Sequence, residues 1–276
     1  MTRTASGQLV QDWDTVGAID VSFLSSALAY VRQHGTLPPR LRSKEDQNEA
    51  SDPGVETSKI ERLTQEISDR LTKTIEQPPE SQAGTPLTIA FLEGFLLYAP
   101  PRFEVPEHIL RPIHDNIHLH LFLPAPYDIV KSRREARSGY VTIGPAPTPS
   151  EKAQDEKPKH GEAAAVDLEK EDDSVPQNFW TDPPGYVDDI VWPRYVQDHA
   201  WLLLPESNGE TDSVQSLAAV HARSGSQADE NLLKLAGQGV NVRTDAGVAV
   251  APGNGKKPMT EILDWAVNEV LRCLEV

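Results

Sequence analysis

The stretch LTIAFLEGFLLY, residues 87–98, is an apolar run interrupted only by Glu93 and Gly94. Such a run is too continuous for a half-exposed strand and fits one covered on both faces of a parallel sheet. Pro86 stands just before it, where a proline does no harm to a strand. Glu93 then falls at the expected strand end, and Gly94 lets the backbone turn beside it. Ligands of open α/β sheets bind at the carboxyl ends of strands, so an acid there is placed for chemistry. Position alone leaves two roles open for Glu93, a functional carboxylate or the cap of a turn.

On the N-terminal side the periodicity predicts two helices. Asp20 caps one that runs to about His34 and stops at Gly35, with Leu24, Leu28 and Val31 as its apolar stripe. Ser58 and Glu61 read as a capping box opening a second helix, which carries Ile60, Leu63, Ile67, Leu71 and Ile75 and ends before Pro78. On the C-terminal side, IHLHLFL at 117–123 alternates as a strand. His118 and His120 would share a strand face with His114 nearby. A metal site and hydrogen-bonded structural histidines are the two readings, and the second is favoured because only Asp115 could join the set. Pro126 opens a short helix bearing Lys131, Arg133, Arg134 and Arg137, either a solvated basic face or a phosphate clamp.

Residues 145–178 differ in kind. They hold no aromatic residue and are rich in acid, lysine, alanine and proline, so they cannot bury enough apolar surface to offset their ordering entropy. The sequence therefore predicts one α/β domain, residues 1–144 and 179–276, carrying a disordered acidic insertion. FWTDPPGYVDDIVWPRYV, residues 179–196, follows as an aromatic and proline-dense loop leading into a helix. Residues 207–229 read as a polar surface excursion. Residues 240–250 read as two short strands or as one broken by Asp245 and Gly247, and Thr260 as the cap of a closing helix with Ile262, Leu263, Ala266, Val270 and Leu271 on its buried side. Helices alternating with parallel-type strands favour a doubly wound α/β sheet.

Composition narrows the function classes. The net charge is −16, from 26 basic and 42 acidic residues, which argues against nucleic acid or an anionic membrane as partner. The one cysteine, Cys273, excludes an internal disulfide and a cysteine-based zinc site. No apolar run approaches the ~18 residues of a membrane span, and the first residues lack the apolar core of a signal peptide. A cytoplasmic setting is expected.

Four pieces together resemble the nicotinamide riboside kinases, in the family's order: QDWDTVGAID (11–20), FLEGFLLY (91–98), YDIVKSRREARSGY (127–140) and DPPGYVDDIVWPRY (182–195). The resemblance covers most of the chain outside the insertion. It implies a P-loop kinase fold and transfer of the ATP γ-phosphoryl, with Mg2+, to the 5′-hydroxyl of a pyridine nucleoside, yielding the mononucleotide for NAD synthesis. It also implies roles. Asp14 would hold the ribose hydroxyls, Trp13 would stack on the pyridine ring, and Tyr140 would be the second aromatic of that sandwich, although its spacing from Arg137 departs from the family's. Glu93 would serve the magnesium and acceptor-hydroxyl end. Arg133, Arg134 and Arg137 would lie in the lid, with Arg134 on the substrate side. Gly253 and Lys256 would belong to the adenine-side turn.

One departure is large. The chain has no G-x-x-x-x-G-K-[ST] string, whose amides cradle phosphates. GNGKKP at 253–258 fails as one, since Val250 takes the first glycine position and Lys257 the Ser/Thr position. The expectation is an N-terminally truncated kinase fold lacking its first strand, P-loop and first helix, inactive in transfer, with a bare edge where that strand would pair. The alternative is a non-catalytic relative that binds a nucleoside or a protein.

Overall fold

Asp20 accepts from the backbone N–H of Phe23 at 2.9 Å and caps α1 (Val21–His34), as its residue type predicts. Gly35 ends the helix in the left-handed region at φ 68°. The computed structural model describes residues 2–39, 41, 52–76, 88–137, 140–143, 177–204, 241–243 and 245–274. The body of the insertion and the 207–229 excursion lie outside them. Gln177 and Asn178, taken with the insertion from sequence, belong to a strand instead.

β1 (Thr2–Arg3) and β2 (Leu9–Val10) form an antiparallel hairpin ahead of α1. α2 (Thr57–Glu76) opens two residues earlier than its box predicts. Glu56 C=O receives the Lys59 and Ile60 amides at 2.9 and 3.2 Å, while the Ser58 hydroxyl donates to the Glu56 side chain. The capping box is thus not formed. After α3 (Arg111–His114), the expected 117–123 strand shrinks to β3 (Leu121–Phe122). Next come α4 (Tyr127–Glu135), β4 (Tyr140–Ile143), β5 (Gln177–Trp180) and a π-helical turn at Val187–Val191. Pro193, two residues past that turn, has no N–H to continue the ladder, consistent with the wider turn before it. α5 (Trp192–His199), β6 (Leu203–Leu204), β7 (Asn241–Val242), β8 (Ala249–Val250) and α6 (Met259–Leu274) complete the chain. Of the two readings of 240–250, two separate strands form, β7 and β8.

The α/β class holds, but the wound sheet is not assembled among the described residues. Four two-stranded ladders stand there, and only β3 with β8 is parallel. The larger correction concerns residues 87–98. Residues 88–95 form no strand and are all exposed, with Phe91 at 84 %. Only the end of the run is buried: Leu96 and Leu97 pack with Leu110 and Ile113 against Leu24 and Leu28 of α1. An apolar run becomes a strand only where an edge pairs with it, and no ladder reaches 88–95 here. Gly94 serves close approach rather than a left-handed turn, since a Cβ there would stand 3.0 Å from Leu97 Cδ2. Elsewhere Trp192, Val196, Ala200 and Leu203 form a core on which Tyr127 and Val130 of α4 rest. α2 meets α6 through the Lys59–Asp264 ion pair. No helix among the described residues is long and apolar enough to cross a membrane.

His114 and His120 hold structural contacts, whereas His118 is exposed. His114 and His120 stack with ring centroids 4.1 Å apart. His114 Nδ1 accepts from the Ala99 amide at 3.2 Å, and His120 Nε2 donates to the His114 carbonyl at 3.1 Å. Burial, then the neighbouring His120 and Arg111, lowers His114 from 6.5 to about 4. Burial also lowers His120 and His199. All three are held towards the neutral form in the folded chain where the unfolded chain takes up protons, so the stability they contribute is full above pH 6.5 and declines below it, for His114 as pH falls towards 4. Urea melts from pH 7 to pH 5 are expected to show that decline, and His114→Asn, which keeps an acceptor, to flatten it. A flat wild-type profile above pH 5 would contradict the assignment.

Candidate functional site

The DPPGY segment between β5 and the π-helical turn is the base of the site. Tyr186 is fully buried with Val10, Val187, Ile190 and Val191. Its hydroxyl donates to the Gln11 carbonyl at 3.2 Å and accepts from the Trp13 amide at 3.1 Å. Burial, reinforced by the Asp14 and Asp12 carboxylates, pushes this phenol well above its ordinary value, so it stays a donor. Asp12 is buried in the same segment. Its Oδ2 accepts from Arg194 Nε at 3.0 Å and Nη2 at 2.9 Å, and from the Thr2 hydroxyl at 3.3 Å.

Arg134 is the hub. It projects from α4, forks onto Asp182 at 2.8 and 3.1 Å, and reaches Asp14 Oδ1 with Nη1 at 3.1 Å. The three side chains are 17, 12 and 15 % exposed, so the pairing is largely shielded from water. The guanidinium carbon lies 5.9 Å from the Tyr186 ring centroid, within cation–π range. Beside this hub a cleft of about 230 Å³ is lined by Arg134, Glu135, Arg137, Asp182, Gly185 and Tyr186 among others. α4 is fastened to the floor by Asp188, which accepts from the Tyr127 hydroxyl and from Lys131 at 2.7 Å. Burial raises the Asp188 pKa, but the bonds from Lys131 and Tyr127 outweigh it and leave the carboxyl below its usual range.

The structure thus brings together Asp14, Trp13 and Arg134, with Arg137 exposed at the cleft edge. Arg133 points elsewhere and donates to the Gly255 carbonyl at 3.0 Å, which ties α4 to the exposed turn holding Gly253 and Lys256. Glu93 stands on the exposed 88–95 segment and takes no part in the hub. The Tyr140 backbone pairs with Trp180, and its side chain lies outside the described set. Arg134 departs from the phosphate-clamp reading, because two carboxylates already occupy its fork. Sequence reasoning assigned no role to Asp182, Tyr186 or the Asp12–Arg194 pair. The available signal was DPPGY itself, an acid and an aromatic set in stiff turn residues. No group of three or more His, Cys, Asp or Glu among the described residues could hold a metal ion.

Three curated proteins resemble this chain. The nicotinamide riboside kinase of Schizosaccharomyces pombe is 24 % identical over 266 residues, covering 96 % of this chain and 77 % of that protein. That of Saccharomyces cerevisiae is 20 % identical over 205 residues, 74 % of this chain and 62 % of its own length. That of Eremothecium gossypii is 22 % identical over 193 residues, 70 % and 56 %. No protein-family model matches, and no solved structure matches. The resemblance to nicotinamide riboside kinases read from the four motifs is borne out over nearly the whole chain.

Proposed function

We propose that this chain is a nicotinamide riboside kinase-like protein and that the Trp13–Asp14–Arg134 cluster, beside the cleft that Arg134 lines, is its nucleoside site. The carrying observation is Asp14, held on the Arg134 fork with Asp182 behind it. A carboxylate offers about four lone-pair positions, so one ion pair leaves acceptors for two vicinal hydroxyls. The adjoining Trp13 is 39 % exposed and supplies an indole face for a cationic pyridine ring, worth about 0.5–2 kcal/mol. Similarity to fungal nicotinamide riboside kinases supports both the substrate class and a P-loop kinase fold.

The similarity also supports use of ATP with Mg2+. The described residues do not fit those groups, since they present neither a Walker-type phosphate cradle nor a carboxylate cluster for the ion. The reading therefore concerns nucleoside binding, with the 5′-hydroxyl as the acceptor group. Isothermal titration of nicotinamide riboside into the 276-residue chain tests it. Binding between about 1 μM and 1 mM is expected, weakened roughly 10-fold or more by Asp14→Ala through lost charge-assisted hydrogen bonds. Absence of binding, or an Asp14→Ala variant that binds like wild type, would overturn the reading.

A further inference from the structure

The segment between β2 and the 3-10 turn at Val16–Ala18 belongs to no helix or ladder, yet it carries Trp13 and Asp14. Its geometry depends on side chains that reach it from elsewhere. We infer that Tyr186 is a positioning residue of the nucleoside site, its buried hydroxyl fixing the backbone on both sides of Asp12 so that Trp13 and Asp14 are presented together. This role rests on the nucleoside reading above.

Three observations carry it. One hydroxyl serves two main-chain groups of that segment, the Gln11 carbonyl and the Trp13 amide, from 175 and 173 residues away in sequence. The ring is locked, fully buried among Val10, Val187, Ile190 and Val191, so the hydroxyl is a fixed point rather than a mobile contact. Arg134, which pairs with Asp14, stacks over the same ring at 5.9 Å. The acid and the main chain that bears it are thus referenced to one side chain. The segment also has a second anchor in the Asp12–Arg194 pair. Removing the hydroxyl should therefore loosen residues 11–14 without releasing the N-terminal hairpin.

The test is Tyr186→Phe in the full chain, which keeps the ring and deletes the oxygen. If Asp14 recognises the vicinal hydroxyls, wild type should prefer nicotinamide riboside over its 2′-deoxy analogue by about 10-fold, on the scale of a charge-assisted hydrogen bond. In Tyr186→Phe that preference is expected to collapse to within about 2-fold, and riboside affinity to fall about 10-fold. Val196→Ala is the structural control. It removes packing in the separate Trp192–Leu203 core, should lower Tm, and should leave the ribose preference intact.

A Tyr186→Phe chain that discriminates like wild type overturns the Tyr186 role alone. So does a Val196→Ala chain that loses discrimination equally, because a general loss of packing would then be the cause. A wild-type chain that binds neither nucleoside overturns the nucleoside reading and this role with it. Should Tyr186→Phe fail to fold, amide exchange on wild type decides. The Trp13 N–H is expected to be strongly protected and to gain protection with riboside, and rapid exchange there would overturn the tether.

Discussion

Arg134→Ala is expected to lower stability by about 3 kcal/mol and to abolish nucleoside binding. The substitution leaves Asp14 and Asp182 facing each other, 15 and 12 % exposed, with their shared cation gone. Surface ion pairs contribute little, but here water replaces the lost partner poorly and like charges are left close together. For a chain of this size the fall in Tm is roughly 6–12 °C. Arg134→Lys keeps the charge but not the planar fork, and should recover only part of the loss, because one ammonium cannot match the two oxygens of Asp182 while reaching Asp14. Differential scanning calorimetry with parallel riboside titration reads both effects. A variant melting within a degree of wild type would show that the hub is dispensable, and the site would need to be sought elsewhere.

Arg243→Ala is the second large effect, at about 2–3 kcal/mol with no direct contact to the cleft. Arg243 is 8 % exposed, pairs with Glu104 at 2.7 Å and Asp245 at 2.8 Å, and donates to the Trp201 carbonyl at 3.3 Å. It clamps the loop after Tyr98 to β6 and β7 beside the Phe122, Trp201, Leu202 and Val248 core. The hydrogen bonds it donates to Asp245 and Glu104 hold its cationic form and push its pKa upward. Deleting one acid should matter much less. Glu104 and Asp245 are 32 and 58 % exposed, so Glu104→Gln or Asp245→Asn should each cost under about 1 kcal/mol. Urea denaturation of the three variants separates the cases. Equal losses in all three would mean that the pairs, rather than the buried guanidinium, hold the loop.

The local grammar of the chain was legible without coordinates. Asp20 and Gly35 bound α1 because a cap and a stop act within a few residues of themselves. The break between β7 and β8 follows from Asp245 and Gly247 for the same reason. Periodicity likewise located α2 and α6 to within a residue or two, since a helix reads only neighbours three and four positions away. The family likeness was also present in short motifs, and with it Asp14 and Arg134.

Residues 87–98 show where that grammar stops. Nothing within the run distinguishes Leu96 and Leu97, which are buried, from Phe91 and Phe95, which are exposed. Their fates depend on where α1 and α3 present apolar surface and on whether another strand lies alongside, neither of which is encoded locally. The roles of Asp182 and Tyr186 were hidden for the same reason. Arg134 meets Asp182 across 48 residues and Asp14 across 120, and the Tyr186 hydroxyl meets Trp13 across 173. By itself the sequence determined α1 with its two caps, the positions of α2 and α6 though not their caps, since the Ser58 box does not form and Thr260 lies inside α6, and the kinase likeness, all read from patterns within a few positions. Which cation faces which acid, and which phenol fixes the segment carrying Trp13 and Asp14, was decided only when tertiary packing excluded water and made each distant partner the available one.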